Sequence, residues 1–464
     1  LKKIIRLKNY FAVTASCLLL AACSSMDEVP SVPVTYTAIW EYAPQTANTI
    51  AVEKDWWKSF ESTQLQQLID VAQTENPDVR IAAEHVKQAE LQMRIAHASL
   101  FPSFGLNASS GESNTKNTDG NWSGDASTRA SLSASYEVDL WGGAMANRHA
   151  GKSTYQSTVF SNEAMRLSIS AGVATAWFNY LALHERIETA QKNIVIAERI
   201  QKIVDSLYRN GVATAAEVAQ QKTNLLTQQA ALLPLQLQFD QTRAALALLE
   251  GQVPQNFQLT LEKLMDLKLP NIDAGIPSDV ITRRPDIGSL EAQLQAASAD
   301  VYAARTALLP SVQLGGNMGK SASELFSLSP ALQSTGWSLS LAQTLFAGGK
   351  YKNQVSLSKS RRVELLENYR KTILTALQEV DDALHRTTIT QLQEINQQEI
   401  VAQSERSLKL TEARYREGDY DLQSLLDAQR SLFQAQDSLV QQRLARLKAT
   451  VDLYKALGGG WQHP

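Results

Sequence analysis

The 464-residue chain has two cysteines, six histidines and, from 331 to 463, no proline. Each scarcity excludes something. Cys17 and Cys23 both lie near the start, so the rest of the chain has no thiol pair and no internal disulfide framework. The histidines (His85, His97, His149, His184, His385, His463) are scattered, with no metal-ligand spacing. No serine stands in a nucleophile elbow. The "GGK" at 348–350 lacks the upstream glycine and the following Ser or Thr of a phosphate loop. No catalytic, cofactor or metal site is therefore expected. The net charge of −3 gives no reason to expect nucleic acid as a partner. After residue 22 no apolar run approaches the length of a spanning helix, so any membrane crossing must use strands.

What is present begins with a basic N-terminus: Lys2, Lys3, Arg6 and Lys8. An apolar stretch over 10–22 follows, too short to span a bilayer and of secretory-signal type. Its end, Leu20-Ala21-Ala22-Cys23, resembles a bacterial lipoprotein box, in which Cys23 carries the lipid (palmitate among its acyl chains) and becomes the mature N-terminus. Ser24 stands where a retention aspartate could have stood, which resembles lipoproteins sorted to the outer membrane. Loss of residues 1–22 leaves 40 basic and 47 acidic residues, a net −7.

The chain then repeats itself. Residues 76–106 align without gaps on 284–314, with Pro77 on Pro285, Asp78 on Asp286, Pro102 on Pro310 and Ser103 on Ser311. "LWGG" at 140–143 falls opposite "LFAGG" at 345–349, and 207–225 falls opposite 414–432. A fixed period of this kind marks two copies of one structural unit. Each copy reads as a helix (65–100, 278–308), a strand–loop–strand segment, a very long helix (144–209, 350–416), a glycine break and a return helix (214–250, 421–457). The expected domains are a signal over 1–22, a linker over 23–63 and repeat 1 over 64–250, with strands within 103–141 and a hairpin over 144–250. A second linker follows over 251–277, then repeat 2 over 278–457, with strands within 311–347 and a hairpin over 350–457. A tail covers 458–464.

The strands show period-two alternation. Ala130, Leu132, Ala134, Tyr136, Val138 and Leu140 share one face, and Arg129, Ser131, Ser133, Ser135, Glu137 and Asp139 the other. Residues 312–320 and 337–345 alternate almost as well, although Gln343 falls on the apolar side, and 104–110 is weaker. Alternation alone fits a half-buried soluble sheet as well as a membrane sheet. Four strands cannot close a barrel, however, and open edges cannot sit in lipid, so chains that span lipid this way must pool strands. Two copies give eight and three give twelve. Pro234 falls inside a return helix and is expected to kink it.

The glycine breaks read as hairpin tips. Gly211 and Gly418 suit the left-handed conformation at a helix end. Asp421 can cap the helix after Gly418, and Thr214 through Glu217 form a capping box after Gly211. Glu217 is either only the third residue of that box or part of a functional tip. Asp427, two turns past the second tip, is either a solvated residue or part of an acidic ring at a closed aperture.

The ordered set of Cys23, "DWWKSFESTQLQQLI" (55–69), "ENPDV" (75–79), "SYEVDLWGG" (135–143), "RRPDI" (283–287) and "RYREGDYDLQSLLDAQRSL" (414–432) resembles the TolC-like outer membrane efflux family, in its lipoprotein branch. The resemblance implies a mainly α fold with membrane β: two tandem repeats, long coiled-coil-like helical hairpins forming an α-barrel, and four strands per chain in a homotrimeric 12-stranded β-barrel. It implies an equatorial belt from segments near 24–63, 251–277 and beyond 457. The implied function is a passive exit duct of a tripartite efflux system for drugs or other small amphiphiles. Its partners would be a periplasmic adaptor, an inner-membrane proton-driven pump and outer membrane lipid. The exit duct of a type I protein-secretion system is the alternative of the same architecture, and a structural lipoprotein with no pore is the alternative of another class. By the same resemblance Gly211, Thr214, Glu217, Gly418 and Asp421 form adaptor-docking tips, and Tyr415 and Asp427 line the periplasmic aperture, with Glu217 matching Asp427 in the first copy. Tyr420 stands where some members carry a tip-bonding arginine.

Overall fold

A computed structural model describes residues 39–42, 52–275 and 277–461. Cys23 and the signal segment lie outside the described residues. After a short 3-10 turn (Trp56–Phe60), repeat 1 comprises α1 (Thr63–Glu75), α2 (Pro77–Ala98), β1 (Ser103–Lys116), β2 (Trp122–Glu137), α3 (Gly143–Arg209) and α4 (Ala215–Leu249). A second 3-10 turn (Leu264–Asp266) precedes repeat 2: α5 (Pro277–Arg283), α6 (Pro285–Thr306), β3 (Ser311–Ala322), β4 (Leu332–Ala342), α7 (Lys350–Glu417) and α8 (Leu422–Ala456). Helices α3 and α7 run for 67 and 68 residues. At 1.5 Å per residue each is about 100 Å long. Among the described residues, no helix is long and apolar enough to cross a membrane.

Two expectations need correcting. The helix expected over 65–100 is two helices, and so is the one expected over 278–308. Proline opens the second helix in each case, and the residue before a proline is pushed out of helical conformation. Asn76 accordingly is extended, with φ −60° and ψ 127°. Its Oδ1 accepts bonds from the N–H of Asp78 (2.8 Å) and Val79 (3.2 Å), so it caps α2. The strands are also longer than the alternation indicated. β1 runs 14 residues, because beyond Ala108 both of its faces are polar and the pattern vanishes while the ladder continues. Gln343 falls just outside β4, which removes its conflict with the apolar face. Pro234 lies within α4, which continues past it.

The chain separates into two compact units. One contains the sheet with residues 85–159 and 289–370. The strands are antiparallel in the order β1-β2-β3-β4. Trp141 donates its Nε1–H to the Pro310 carbonyl at 2.6 Å and accepts at its own carbonyl from the Tyr302 hydroxyl at 3.1 Å. These bonds tie the exit of β2 to the exit of α6. Asp139 caps α3, accepting from the N–H of Ala144 (3.0 Å) and Met145 (2.8 Å).

The other unit contains residues 34–84, 160–288 and 371–464 of the chain and holds most of the large buried side chains. Trp177, Phe178, Leu181, Phe60, Leu65 and Tyr454 are all under 2% exposed. Trp56 stacks on Tyr454 with ring centroids 5.0 Å apart. The 3-10 turn at Leu264–Asp266 is held by Arg443 of α8, whose guanidinium donates to the carbonyls of Leu264, Met265 and Leu267. Glu394 of α7 pairs with Arg443 (3.2 Å) and with Arg446 (2.8 Å). Glu185 of α3 accepts from Leu264 N–H at 2.8 Å, and burial raises its carboxyl above the ordinary value. A buried charge pair broken on one side is costly, so this cluster fixes the linker where three helices meet.

Candidate functional site

The tips are built by the local rules of helix ends. At the first, Gly211 has φ +75°, and the N–H groups of Val212 and Ala213 reach back to the Leu207 carbonyl at 2.9 and 3.3 Å. That closes the last turn of α3 in the manner of a left-handed C-cap. Thr214 Oγ1 accepts from Glu217 N–H at 3.2 Å, and Glu217 Oε2 accepts from Thr214 N–H at 2.6 Å. At the second, Gly418 has φ +84°, and Asp419 N–H reaches the Arg414 carbonyl at 3.0 Å. Asp421 accepts from Ser424 N–H at 2.7 Å, and that bond holds its carboxyl below the usual range. An added Cβ at Gly211 or Gly418 would meet nothing within 4 Å, so the glycines answer to backbone conformation alone.

The caps fix the equivalence of the two copies. Thr214 matches Asp421 and Glu217 matches Ser424 at an offset of 207, so Gln220, not Glu217, stands opposite Asp427. The expected Glu217–Asp427 correspondence is corrected on that register.

Behind the tips lies an apolar core of Ile200, Val204, Leu408, Tyr415, Leu422, Leu425, Leu426, Leu432 and Phe433. Tyr415 belongs to this core at 5% exposure. Its hydroxyl has no hydrogen-bond partner among the described residues, and its pKa is raised, first by burial and then by the charge of Glu217. Polar side chains cross the same interface. Asn224 donates to Gln429 at 2.7 Å, Gln221 to the Ala197 carbonyl at 2.9 Å, and Gln220 to Gln423 at 3.1 Å. Asp427 is half exposed and accepts from Arg430 and Gln423, each at 3.2 Å. Arg199 of α3 and Arg416 of α7 both pair with Glu412, at 2.6 and 2.7 Å.

Sequence reasoning missed one feature of the second tip. Arg414 lies over the Tyr420 ring, 5.2 Å from its centroid, and donates to the Tyr420 hydroxyl at 3.2 Å. The tip thus carries a guanidinium although position 420 has none. The signal was an Arg and a Tyr bracketing the glycine turn, six residues apart, which a tight turn brings together.

The sheet is the second candidate surface. Register pairs Leu106 with Leu132 and Leu132 with Met318, and it pairs Gly316 with Trp337 and Leu314 with Leu339. Directly opposed residues share a face. That face is exposed: Phe104 72%, Leu106 78%, Trp337 82%, Leu339 64%, Leu341 71%. The opposite face carries Gly105, Ser133, Asn317 and Gly336 in one row and Asn107, Ser131, Gly319 and Ser334 in the next. One face suits lipid and the other water. Among the described residues β1 pairs only with β2 and β4 only with β3, so both edges of the sheet lie open there.

The profile described as outer membrane efflux protein matches residues 68–252 and 276–459. The chain belongs to the outer membrane efflux protein family. Over 98% of both chains it is 36% identical to the pyoverdine export outer membrane protein OpmQ of Pseudomonas putida. It is 31% identical to the toluene efflux pump outer membrane protein TtgC of Pseudomonas putida, over 98% of this chain and 96% of that one. Among solved structures it superposes on the Campylobacter jejuni CmeC outer membrane channel with a TM-score of 0.87 and 26% identity, covering 95% of this chain and 96% of that one. Members of this family are outer membrane channels and not enzymes, and the fold of tandem helical repeats with four membrane strands is theirs. The protein is accordingly an outer membrane efflux channel with its helical part in the periplasm.

Proposed function

We propose that three copies pool their strands into one 12-stranded barrel and conduct small amphiphilic compounds passively to the exterior. Delivery would come from a periplasmic adaptor and an inner-membrane proton-driven pump. One observation carries this reading: among the described residues, a four-stranded sheet with an uncovered apolar face and two unpaired edges. In lipid each unpaired backbone group costs several kcal/mol (about 4–8 for an amide with no partner), so the edges must be closed by other copies. The apolar stripe of α4 supports it. Leu226, Leu233 and Leu237 are 55%, 64% and 59% exposed at heptad-like spacing, a seam that a neighbouring copy would cover. Relatives named for pyoverdine export and for toluene efflux differ in cargo, which fits a wide polar duct of low selectivity.

In this reading Gly211, Thr214, Glu217, Gly418 and Asp421 shape the tips that dock on the adaptor, and Asp427 stands at the closed aperture; Tyr415, expected there, is instead packed in the core behind the tip. The Arg414–Tyr420 pair supplies the cation at the aperture. Cys23 carries the lipid, and the barrel anchors the protein independently of it. Cysteines introduced at the outer edges of β1 and β4 test the assembly. Oxidation should yield covalent trimers on denaturing gels, and purified protein should conduct in planar bilayers. A lone protomer in detergent that neither crosslinks nor conducts would end the proposal. Asp427→Ala should widen the closed aperture and weaken block by multivalent cations. Unchanged conductance and block would remove Asp427 from the aperture. Cys23→Ser should lose the lipid and keep the trimer.

A further inference from the structure

The two ends of the apolar sheet face differ in charge, and the difference is not what helix stability selects. At the helix end the apolar band finishes in Phe101, Leu140, Leu345 and Phe346, which are 59%, 58%, 92% and 88% exposed. Directly beyond it, both long helices open with bases. Arg148 and Lys152 lie in the second and third turns of α3, with no acid before Glu163. Lys350 and Lys352 lie in the first turn of α7, with no acid before Glu364. All four are exposed. Three acids of the adjoining elements are otherwise engaged or turned away. Asp139 caps α3, and Glu137 lies on the polar face of the sheet. Glu90 of α2 is paired with Arg94 at 2.7 Å. A helix start favours acids over bases, so Lys350 and Lys352 are disfavoured by their own helix, and Arg148 and Lys152, beyond the first turn of α3, gain nothing from theirs. At the other end of the band, the β1–β2 hairpin carries Glu112, Asp119 and Asp125 against Lys116.

We infer that Arg148, Lys152, Lys350 and Lys352 form a basic collar that binds anionic phospholipid headgroups in the leaflet facing the helices. The inference rests on the sheet lying in the outer membrane. The apolar side chains Leu345 and Phe346 hold the acyl chains at the level of the last strand residues. The bases, one or two turns further along the helices, meet the phosphates. A basic segment just past the hydrocarbon boundary is the arrangement that reads anionic lipid. The collar gives the channel a fixed depth and a preference for anionic neighbours, neither of which the barrel's own hydrophobic band provides.

The test uses the full chain in phosphatidylethanolamine vesicles doped with brominated phosphatidylglycerol or, at equal mole fraction, brominated phosphatidylcholine. Bromine quenches the tryptophans near the band, Trp141 and Trp337. The anionic lipid should quench as though about fivefold enriched, and about 1 M salt should remove the excess. The variant R148Q/K152Q/K350Q/K352Q should show equal quenching by both lipids. The variant K116Q/K320Q, altered at the other end of the sheet, should keep the preference. Equal quenching in the unaltered protein, or a preference retained by the fourfold variant, overturns the collar alone. Absence of quenching by either lipid overturns the collar together with the membrane placement of the sheet.

Discussion

The two helical hairpins are copies of one design, yet they solve the same problems with different chemistry. At the tips, Thr214 and Asp421 occupy the same N-cap position, one neutral and one ionisable. At the far ends, Glu250 and Leu457 occupy the same C-cap position, and each is followed by a left-handed glycine, Gly251 or Gly458. Here the first copy is the ionisable one. Burial pushes the Glu250 carboxyl up to about 7. Inside the hairpins, Val218 and Leu425 are equivalent, and only Leu425 is fully buried, in the tip core that α8 dominates. The backbone requirement is therefore common to both copies, whereas the side chains answer to different surroundings. α8 packs inward, and α4 leaves its leucine stripe open.

The largest expected effect tests that asymmetry. Leu425→Ala should destabilise the tip region by about 2–5 kcal/mol, the range for a buried leucine. Val218→Ala should cost less than half as much. Denaturant midpoints followed by helical circular dichroism decide it, and equal losses would erase the distinction between the copies. Gly418→Ala and Gly211→Ala come next, at about 1–2 kcal/mol each, because left-handed backbone costs a side-chain-bearing residue that much. The two should agree closely, since neither site crowds an added Cβ. A large difference, read by hydrogen exchange at each tip, would show that the turns are not equivalent.

The caps follow. Thr214→Ala should cost about 0.5–2 kcal/mol. Asp421→Asn should leave the second tip nearly intact at neutral pH and remove its acid sensitivity. The folded-state pKa of Asp421 is lowered, so its contribution is present above the unfolded value near 4 and is lost as pH falls through the folded value. Protection of the Ser424 amide measured between pH 5 and 2 reads this directly. A second tip that loosens equally in the unaltered protein and the variant would exclude the carboxylate as the cause. Glu250 has the opposite sign. Its folded-state pKa is raised, so its contribution is whole below about 4.5 and is lost as pH rises through about 7. Glu250→Gln should flatten that stretch of the stability profile. A profile unchanged by the substitution would place the dependence elsewhere.

Much of this was legible in the chain. The repeat, the glycine turns and the Thr214–Glu217 box stood out because they obey local rules, with the determining atoms within a few residues of each other. The membrane strands were legible where one face is apolar and illegible where both are polar, which is why β1 was read as half its length. The breaks at Pro77 and Pro285 carried a local signal too, but the helical periodicity on both sides obscured it. The burial of Tyr415 was not legible. Its neighbours Ile200 and Val204 come from α3, more than 200 residues away in the chain. The Arg443–Glu394 clamp on the 264–267 turn was hidden for the same reason, because the groups it satisfies are backbone carbonyls of another segment.

The sequence by itself determined the two copies, their turns and caps, and the alternation that gives the sheet one wet and one dry face. These are properties of neighbours, fixed by backbone sterics and by a period of two or 3.6 residues. Tertiary structure alone decided which of two equivalent positions is buried, which charges meet across helices, and which apolar stripes remain open for another surface. Those outcomes depend on which segments share a volume, and identical local patterns can end in either surrounding.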